Sequence, residues 1–462
     1  MEQWVLSQNS TPKKNVTYFH VGGNVWFKEF QRGTHQDSEY SSPHPPVSVT
    51  GGDFDEFYLT GLYRGDITSS ADNAECYING GRFGIVCGAA MEGIGKTGGA
   101  DNTGNIFWQV QNADINEFYG GGINAATGRI VEGNITNVIE GGYIKQFCGG
   151  PKFGDMNSGK KVTTTANGCI FDTFFGAGYG GNSYSRRAPT NRNNVINLPG
   201  SGQLNNVATT FGSWNEWVTA EYQQTTTDGF EGISTQFNYQ FLPMSGNTDN
   251  VCRLFVEYVK FSLATTREVN STLTDCTVTG NFYGGGSLGK VEGIVTSTLD
   301  GCKVKGNVFG AGFSASKPTV EVDSIGFRTE PYYYTDLGSY RTGVKGKTTT
   351  YTWEHGNSIS IDPGNHILYT TENLDESNLG SVNGNVNLTI KGNSKIGTEG
   401  DTTTGNVFGG GESSYVTGAD HKVTVTLAGN TQVLGNVYGG GNKGKVEGNT
   451  EVNIQENAPV TP

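Results

Sequence analysis

GGDFDEFY (residues 51–58) decides the fold, because the same octamer returns in register along the N-terminal half of the chain. It consists of two small residues, a variable one, an apolar one, two variable ones and an apolar pair. It recurs as GGRFGIVC (80–87), NADINEFY (112–119), GGYIKQFC (141–148) and, more loosely, GCIFDTFF (168–175). The copies end at residues 58, 87, 119, 148 and 175, which are 29, 32, 29 and 27 positions apart. This spacing predicts a stack of repeats of about thirty residues.

A second signature, V-x-G-N-[VF]-[YF]-G-[GA]-G, takes over in the C-terminal half. It reads VTGNFYGGG (278–286), VKGNVFGAG (304–312) and VLGNVYGGG (433–441), with TTGNVFGGG (403–411) as a weaker member. The residues that follow also repeat, as GGGSLGKVEG, GGGESSYVTG and GGGNKGKVEG. The two signatures predict two repeat subfamilies joined in one stack.

Composition favours a narrow core over a broad one. The 462 residues include 71 Gly, 24 Phe and 21 Tyr, with only 34% hydrophobic and 16% charged residues. Runs that alternate β-branched and polar residues, such as residues 424–427, predict strands of about five residues. Gly pairs and Gly-Asn steps are expected to supply positive φ at the corners. The sequence therefore predicts an all-β parallel β-helix (β-solenoid) with two β-rich insertions.

The period divides the chain into segments. Residues 1–46 are expected to cap the N-terminal end, and the two stretches that break the period are the insertions. The predicted segments are the cap (1–46), coils (47–181), an aromatic and Asn-rich insertion (182–270), coils (271–313), a Tyr-rich insertion (314–380) and coils (381–462), which we expect to continue in a longer parent chain.

Both insertions are rich in aromatic residues. Insertions in solenoids leave from one face, often the binding face, so these side chains are candidate platforms for sugars or proteins. The alternative is that they pack a small β-sheet onto the flank of the coils. The candidate binding residues are Trp214, Trp217, Tyr222, Tyr332, Tyr333, Tyr334 and Trp353.

The triple glycines are predicted to be structural. A phosphate-binding loop needs a helix N-terminus after it, whereas another strand follows here. Lys290 with Glu292, and Lys445 with Glu447, alternate on one strand face and are expected to form solvated charge pairs across neighbouring coils rather than acid–base pairs.

The seven cysteines show no close-spaced metal or disulfide pattern. Cys276 and Cys302 occupy equivalent places in adjacent repeats, which predicts a ladder of buried thiols. Cys87 and Cys148 are also equivalent, but the repeat of Tyr119 lies between them. They should be about 10 Å apart, which predicts no disulfide.

The enzyme alternative rests on acidic residues. Asp53 and Asp55 form the best local cluster, whereas the equivalent Asp172 should lie about 19 Å away. A glycosidase needs two nearby carboxyl groups. No nucleophile–His–Asp order and no His/Glu metal motif emerges, so the sequence favours a protein without enzymatic activity, metal or cofactor.

Charge and hydropathy limit the partners. The net charge of −13 disfavours nucleic acid, whose phosphates would be repelled. No apolar run is long enough to span a membrane. The first residues, MEQWVLSQNS, lack the layout of a secretory signal, and we expect a leader outside this sequence.

NVFGGGESSYVTGADHKVTVTLAGNTQVLGNVYGGGNKGKVEGNTEVNI (residues 406–454) resembles the Gly-rich repeats of cell-surface parallel β-helix proteins of the Bacteroides group of gut bacteria. It is more distantly similar to autotransporter and adhesin passenger repeats. The resemblance covers residues 47–181, 271–313 and 381–462. It implies an extracellular or surface-displayed protein with an adhesive or scaffolding role, and it supplies no catalytic residues.

Three functional hypotheses follow. The first is a surface-displayed, adhesin-like β-helix whose insertions bind glycans or a host surface protein. The second is a polysaccharide lyase or glycoside hydrolase acting through Asp53 and Asp55. The third is a passive fibre or spacer segment.

Overall fold

The described part of the chain is all β and contains no helix in the computed structural model. This confirms the predicted class. The structure describes residues 4–5, 19–23, 25–31, 46–59, 73–89, 105–122, 130–131, 133–152, 154–156, 158–187, 196–197, 235–236, 240–241, 251–262, 264–314, 324–331, 341–344, 349–352, 358–362, 367–368 and 379–455. The candidate residues Trp214, Trp217, Tyr222, Tyr332, Tyr333, Tyr334 and Trp353 lie outside these ranges.

A first parallel sheet of 11 strands runs through the described chain, and each strand pairs with the next one along the sequence. Inward and outward residues alternate along these strands, because successive side chains point to opposite faces. Its strands are Phe19–Val21, Val47–Val49, Asn73–Asn79, Asn105–Gln111, Ile135–Glu140, Lys161–Asn167, Glu268–Thr274, Val295–Asp300, Val386–Lys391, Lys422–Leu427 and Asn449–Ile454.

A second sheet of 15 strands is built in the same order and changes form half-way. The octamers give single strands, whereas each Gly-Asn rung has two short strands with the Gly-Asn step between them, and in one rung the first of these, Lys395–Ile396, precedes the signature at 403–411. The single strands are Trp4–Val5, Trp26–Gln31, Asp53–Tyr58, Arg82–Ala89, Asp114–Gly122, Tyr143–Cys148 and Ile170–Phe175. The short pairs are Thr277–Val278 with Phe282–Tyr283, Lys303–Val304 with Val308–Phe309, Lys395–Ile396 with Val407–Phe408, and Gln432–Val433 with Val437–Tyr438.

A third, narrower parallel sheet follows the second in the described rungs from residue 130 onward. It continues beyond Val291 as single bridges to Val382, Val416 and Val446. Its strands are Ile130–Val131, Asp155–Met156, Thr265–Thr266 and Lys290–Val291.

The chain visits the sheets in a fixed order, and we call one passage through the first and then the second sheet a rung. Ile135–Glu140 leads to Tyr143–Cys148, then to Asp155–Met156, and the chain returns to Lys161–Asn167 beside its starting strand. Strands that stack on the next rung in parallel are consistent with a β-solenoid. The rungs begin before residue 46, because Trp26–Gln31 already pairs with Asp53–Tyr58.

The predicted register is confirmed. The octamer ends Tyr58, Cys87, Tyr119, Cys148 and Phe175 are successive partners in the second sheet. The two repeat subfamilies also join as predicted, since Phe175 of the last octamer pairs with the end of the first Gly-Asn signature, Tyr283.

Side chains stacked from rung to rung build the interior. One cluster fills the space between the first and second sheets, and its fully buried aromatics include Phe57, Trp108 and Phe147. A second, valine-rich cluster joins the first and third sheets. A third cluster contains the octamer ends and continues as an unbroken aromatic column with centroid separations of 4.9–5.0 Å through Phe175, Tyr283, Phe309, Phe408 and Tyr438.

Glycines serve two different purposes, which corrects the single explanation expected from the sequence. The pairs that open the octamers do have positive φ, as at Gly81 (101°) and Gly142 (79°). The triple glycines do not have positive φ at Gly284, Gly310 or Gly409. A Cβ at each of these would lie closer than 3.0 Å to the carbonyl oxygen of its counterpart in the next rung. Close approach of two backbones, rather than the turn, therefore requires these glycines.

The asparagine of the Gly-Asn signature forms a ladder along the stack. The side-chain oxygen of Asn281 accepts the backbone N–H of Asn307 at 2.8 Å. Asn307 accepts that of Asn406 at 2.9 Å, and Asn406 that of Asn436 at 3.1 Å. Each asparagine therefore satisfies a backbone donor at the split of the next rung, which explains why this residue type recurs there.

Antiparallel pairing occurs within the period-breaking stretches. Val251–Ser262 pairs with Gly181–Arg187 and Ile196–Asn197 from its own stretch and with Ser324–Pro331 from the other. The backbones of the two stretches thus share a sheet, which ends with Arg341–Val344. Smaller pairings join Thr235–Gln236 with Ile367–Leu368, and Ser358–Asp362 with Gln240–Phe241 on one side and Thr349–Thr352 on the other.

Replacing Gly284 by alanine should lower the free energy of unfolding by about 2–4 kcal/mol, because the new Cβ forces two rungs apart. Gly440 is the matched control, since it belongs to the same motif, has no positive φ and would place a Cβ in open space. Gly440→Ala should change stability by less than about 0.5 kcal/mol. Urea unfolding followed by circular dichroism measures both, and equal effects would refute the close-approach explanation.

Candidate functional site

Both period-breaking stretches leave the stack at the same turn, which we call the insertion edge. On one side of this turn Tyr179, Ser287 and Phe313 are successive bridge partners. On the other side Thr266, Val291 and Val382 are successive partners. The described backbone therefore holds both ends of each insertion in the register of its neighbours.

The middle rung shows how short this turn is without an insertion. Only residues 288–290 lie between Ser287 and Val291, whereas 86 residues (180–265) and 68 residues (314–381) occupy the equivalent turns before and after it. The two insertions are thus anchored two rung spacings apart, about 10 Å.

A charged and aromatic cluster supports the edge where the first insertion leaves. The Lys152 ammonium lies 3.3 Å from Glu117, 4.5 Å from the ring centroid of Tyr119 and 5.6 Å from that of Tyr179. Tyr119 donates to Glu117 at 2.7 Å, and burial strongly raises its pKa. The Lys152 side chain is only 18% exposed, so the ion pair with Glu117 and the two ring contacts offset its lost solvation and hold the last residues before the insertion in place.

The second insertion leaves beside a similar contact. Phe313 packs against Tyr283 at 5.6 Å between ring centroids. The Tyr283 hydroxyl donates to Glu412 and accepts from Asn281 at 3.0 Å. Burial and the bond to Glu412 raise the pKa of Tyr283. Each insertion thus starts from a residue held by a buried tyrosine of the second sheet.

Asp53 and Asp55, the candidates for an enzyme, lie on the exposed side of the second sheet, each with a partner. Arg82 donates to both oxygens of Asp53 at 2.7 Å, and the indole N–H of Trp26 donates to Asp55 at 3.3 Å. The bonds from Arg82 lower the pKa of Asp53, so this carboxyl is held ionised. A general acid needs the opposite shift, and Asp53 is therefore suited to an ion pair rather than to proton donation.

Trp26, Asp53 and Arg82 line a groove at the corner between the first and second sheets, which we call the N-terminal groove. It has a volume of about 500 Å³. The glycines of three successive corners form its floor, namely Gly23, Gly51, Gly52 and Gly81. The sequence prediction did not include Trp26 or Arg82. The segment WFKEFQ (26–31) matches most of the octamer, and aligning it would have placed Trp26 at the position of Asp53 in the preceding rung.

Asp172, four rungs from Asp55, has its own hydrogen bonds. It accepts from Tyr143 at 2.5 Å and from Thr279 at 2.6 Å. Partial burial opposes ionisation of Asp172, but these two bonds outweigh it and lower the pKa. The bond between Tyr143 and Asp172 also raises the pKa of Tyr143 to about 12. The arrangement ties the last octamer to the first Gly-Asn rung.

The thiol ladder predicted for Cys276 and Cys302 is confirmed and is one rung longer. Cys169 stacks below Cys276, and all three thiols are free and buried. The side-chain contact with Cys276 and burial raise the pKa of Cys169 and Cys302. Cys87 and Cys148 are also free and buried, with Tyr119 between them.

The Lys–Glu pairs predicted to form across neighbouring coils form within one coil instead, because residues two apart in an extended segment place their side chains on the same face. Lys290 contacts Glu292, which also contacts Arg267 of the preceding rung. Lys445 lies 3.0 Å from Glu447, and the other carboxylate oxygen accepts the backbone N–H of Gly418. These carboxylates therefore link neighbouring rungs.

Within the ranges that the structure describes, no group of three or more His, Cys, Asp and Glu residues is arranged to hold a metal ion. A search of those ranges for a helix long and apolar enough to cross a membrane also finds none.

Comparison with known proteins gives no family assignment. No protein-family model matches the sequence, and no match is found among curated proteins or solved structures.

The bond between Tyr143 and Asp172 predicts a pH-dependent coupling. A double-mutant cycle of Tyr143→Phe and Asp172→Asn should give about 0.5–1 kcal/mol at pH 6, modest because solvent reaches the pair. Because the folded pKa of Asp172 lies below the usual value of 3.8, this stability is present above that pH and is lost as pH falls through the folded pKa. Urea unfolding at pH 6 and pH 2.5 tests it, and a coupling that grows in acid would contradict the assignment.

Proposed function

We propose that the chain is a closed parallel β-helix, displayed outside the cell, that presents its two insertions as an adhesin-like binding element for a glycan or a host surface protein. The observation that carries this proposal is the insertion edge. Both long insertions occupy the same turn, in the rungs on either side of a rung where the turn has three residues.

The closed helix is supported by the arrangement of the interior. Val269 of the first sheet belongs to the cluster shared with the third sheet, whereas Leu273 of the same strand belongs to the cluster shared with the second. The first sheet therefore packs against both others, as the walls of a narrow tube do.

A display role is supported by the unbroken pairing of the rungs on either side of each insertion. The strands before and after each insertion keep their pairing, so Phe174 still meets Phe282 and Val308 still meets Val407. A rigid frame with long additions at one turn is a common way to place binding residues on loops. The surface location is supported by the Gly-rich repeats described above.

The insertion edge suggests a test that leaves the frame intact. Residues 180–264 are replaced by Leu-Gly, and residues 314–381 by Leu-Gly-Lys, which copies the short turn after Ser287. Both variants and the double variant should keep their β-sheet circular dichroism and unfold cooperatively. Binding to a glycan or mucin array should fall by about tenfold or more.

Two outcomes would contradict the proposal. If the double variant binds the array as the full chain does, the insertions are not the binding element. If the full chain binds nothing on glycan and host-protein arrays, a passive spacer is the better description.

A further inference from the structure

Trp26 is the largest exposed apolar side chain of the described second sheet, with 52% of its surface accessible. Its indole N–H is fixed by Asp55 at 3.3 Å. Indole has a broad apolar face and one polar edge, and here the polar edge is satisfied by the protein. The remaining surface offers a fixed, flat platform at one side of the N-terminal groove.

Arg82 faces this platform across Asp53. The three residues occupy the same position in successive rungs, so Trp26 and Arg82 are two rung spacings, about 10 Å, apart. Arg82 uses Nε and one Nη to bind Asp53, and its side chain is 73% exposed. A guanidinium has five N–H donors, so three remain to bind a ligand in a direction set by the ion pair.

Glycines form most of the floor between them, with Val25 and Thr50 as the other lining residues. Gly52 and Gly81 have φ of 107° and 101°, a conformation that L side chains rarely adopt. The corner turns therefore keep the groove open for a structural reason, and a ligand there meets backbone polar groups directly.

The chemistry of the groove selects the ligand. Asp53 and Arg82 neutralise each other, Asp55 adds a negative charge, and the chain as a whole carries −13. Acidic sugars and nucleic acid are disfavoured by this charge. The groove is also too small for a protein interface, which takes about 20–30 residues on each side, whereas nine residues line the groove. A flat apolar platform beside fixed hydrogen-bonding groups fits a neutral sugar ring, with one apolar face and a rim of hydroxyl groups.

We propose that the N-terminal groove is a binding subsite for a neutral saccharide, with a sugar ring stacked on Trp26 and hydroxyl groups bound by Arg82 and Asp53. This site belongs to the rungs and does not depend on the insertions.

The test uses the full chain and the double short-turn variant described above. Cellohexaose, mannohexaose and xylohexaose are titrated by calorimetry and by intrinsic fluorescence, with hexagalacturonate as the acidic probe. At least one neutral probe should bind both proteins with the same affinity and perturb fluorescence. Trp26→Ala should weaken binding by about tenfold and abolish the fluorescence change, although the chain has six tryptophans. Trp26→Phe should restore part of the affinity.

Two further variants separate binding from folding. Arg82→Lys should weaken binding about fivefold, because a lysine cannot hold Asp53 with two bonds and still donate sideways. Ile170→Ala is the matched control, since Ile170 occupies the same strand position and is 44% exposed, and it should bind as the wild type does.

The outcomes distinguish this site from the insertion-based function. Loss of mucin or host-protein binding in the double short-turn variant, with hexasaccharide binding retained and lost on Trp26→Ala, supports both proposals, and neutral glycans on the array that the variant still binds through Trp26 are assigned to the groove. If no neutral probe binds, if hexagalacturonate binds as well as the neutral probes, or if Trp26→Ala stays within about twofold of the wild type, the groove is not a saccharide site.

Discussion

Each rung is held to the next by an in-register parallel ladder of backbone hydrogen bonds, and the rest of the structure depends on it. The ladder brings equivalent residues of successive rungs together at about 4.8 Å. A side chain therefore fits a position when it packs well against the same kind of side chain in the next rung. Flat rings stack, as Phe309 does on Phe408 at 5.0 Å. Asparagine satisfies the next asparagine's backbone donor, as Asn307 does for Asn406. Where two backbones approach too closely for a Cβ, only glycine is possible.

The same constraint explains the polar residues inside the stack. Asn137, Thr164, Ser271 and Ser297 occupy one inward position of the first sheet in successive rungs. Asn137 donates to the carbonyl of Gly149 at 3.0 Å and to Thr164 at 3.1 Å. They lie against the backbone of the glycines that end each second-sheet passage, whose carbonyl groups need donors. Trp108 occupies the same position one rung before Asn137 and donates its indole N–H to the carbonyl of Gly120 at 2.9 Å, and Leu388 follows Ser297.

The repeat was readable from sequence because stacking repeats the same residue at the same place. The octamer ends, the junction at Phe175 and Tyr283 and the thiols of Cys276 and Cys302 all followed from spacing alone. The reason for the triple glycines did not follow from spacing. They are required by a close approach between two rungs, and the sequence of one repeat carries no information on that distance. Cys169 was missed because its repeat has the other signature, and Trp26 because its octamer lacks the opening glycine pair.

The candidate site was less predictable than the frame for a related reason. The aromatic residues predicted to bind lie in the stretches that break the period. Their positions could not be predicted because the sequence offers no equivalent residue in a neighbouring repeat to align them with. The groove at Trp26 is instead a product of the frame itself. It combines residues from three rungs that are each ordinary alone, and only their superposition brings the platform, the ion pair and the open glycine floor together.

The turn after Ser287 has a consequence for how such a chain changes in evolution. An extra residue inside a second-sheet strand would move every later side chain to the opposite face. At the turn, by contrast, growth from 3 to 86 residues is nearly five doublings, with a closure cost of roughly 3 kcal/mol in total. Length thus changes at little cost at this turn and is fixed by register within the strands, and the second sheet accepts a smaller change between Ile396 and Val407, where residues 397–406 replace the three residues of the other Gly-Asn rungs. New sequence can accumulate at the turn, rung by rung, while the frame that carries it stays the same.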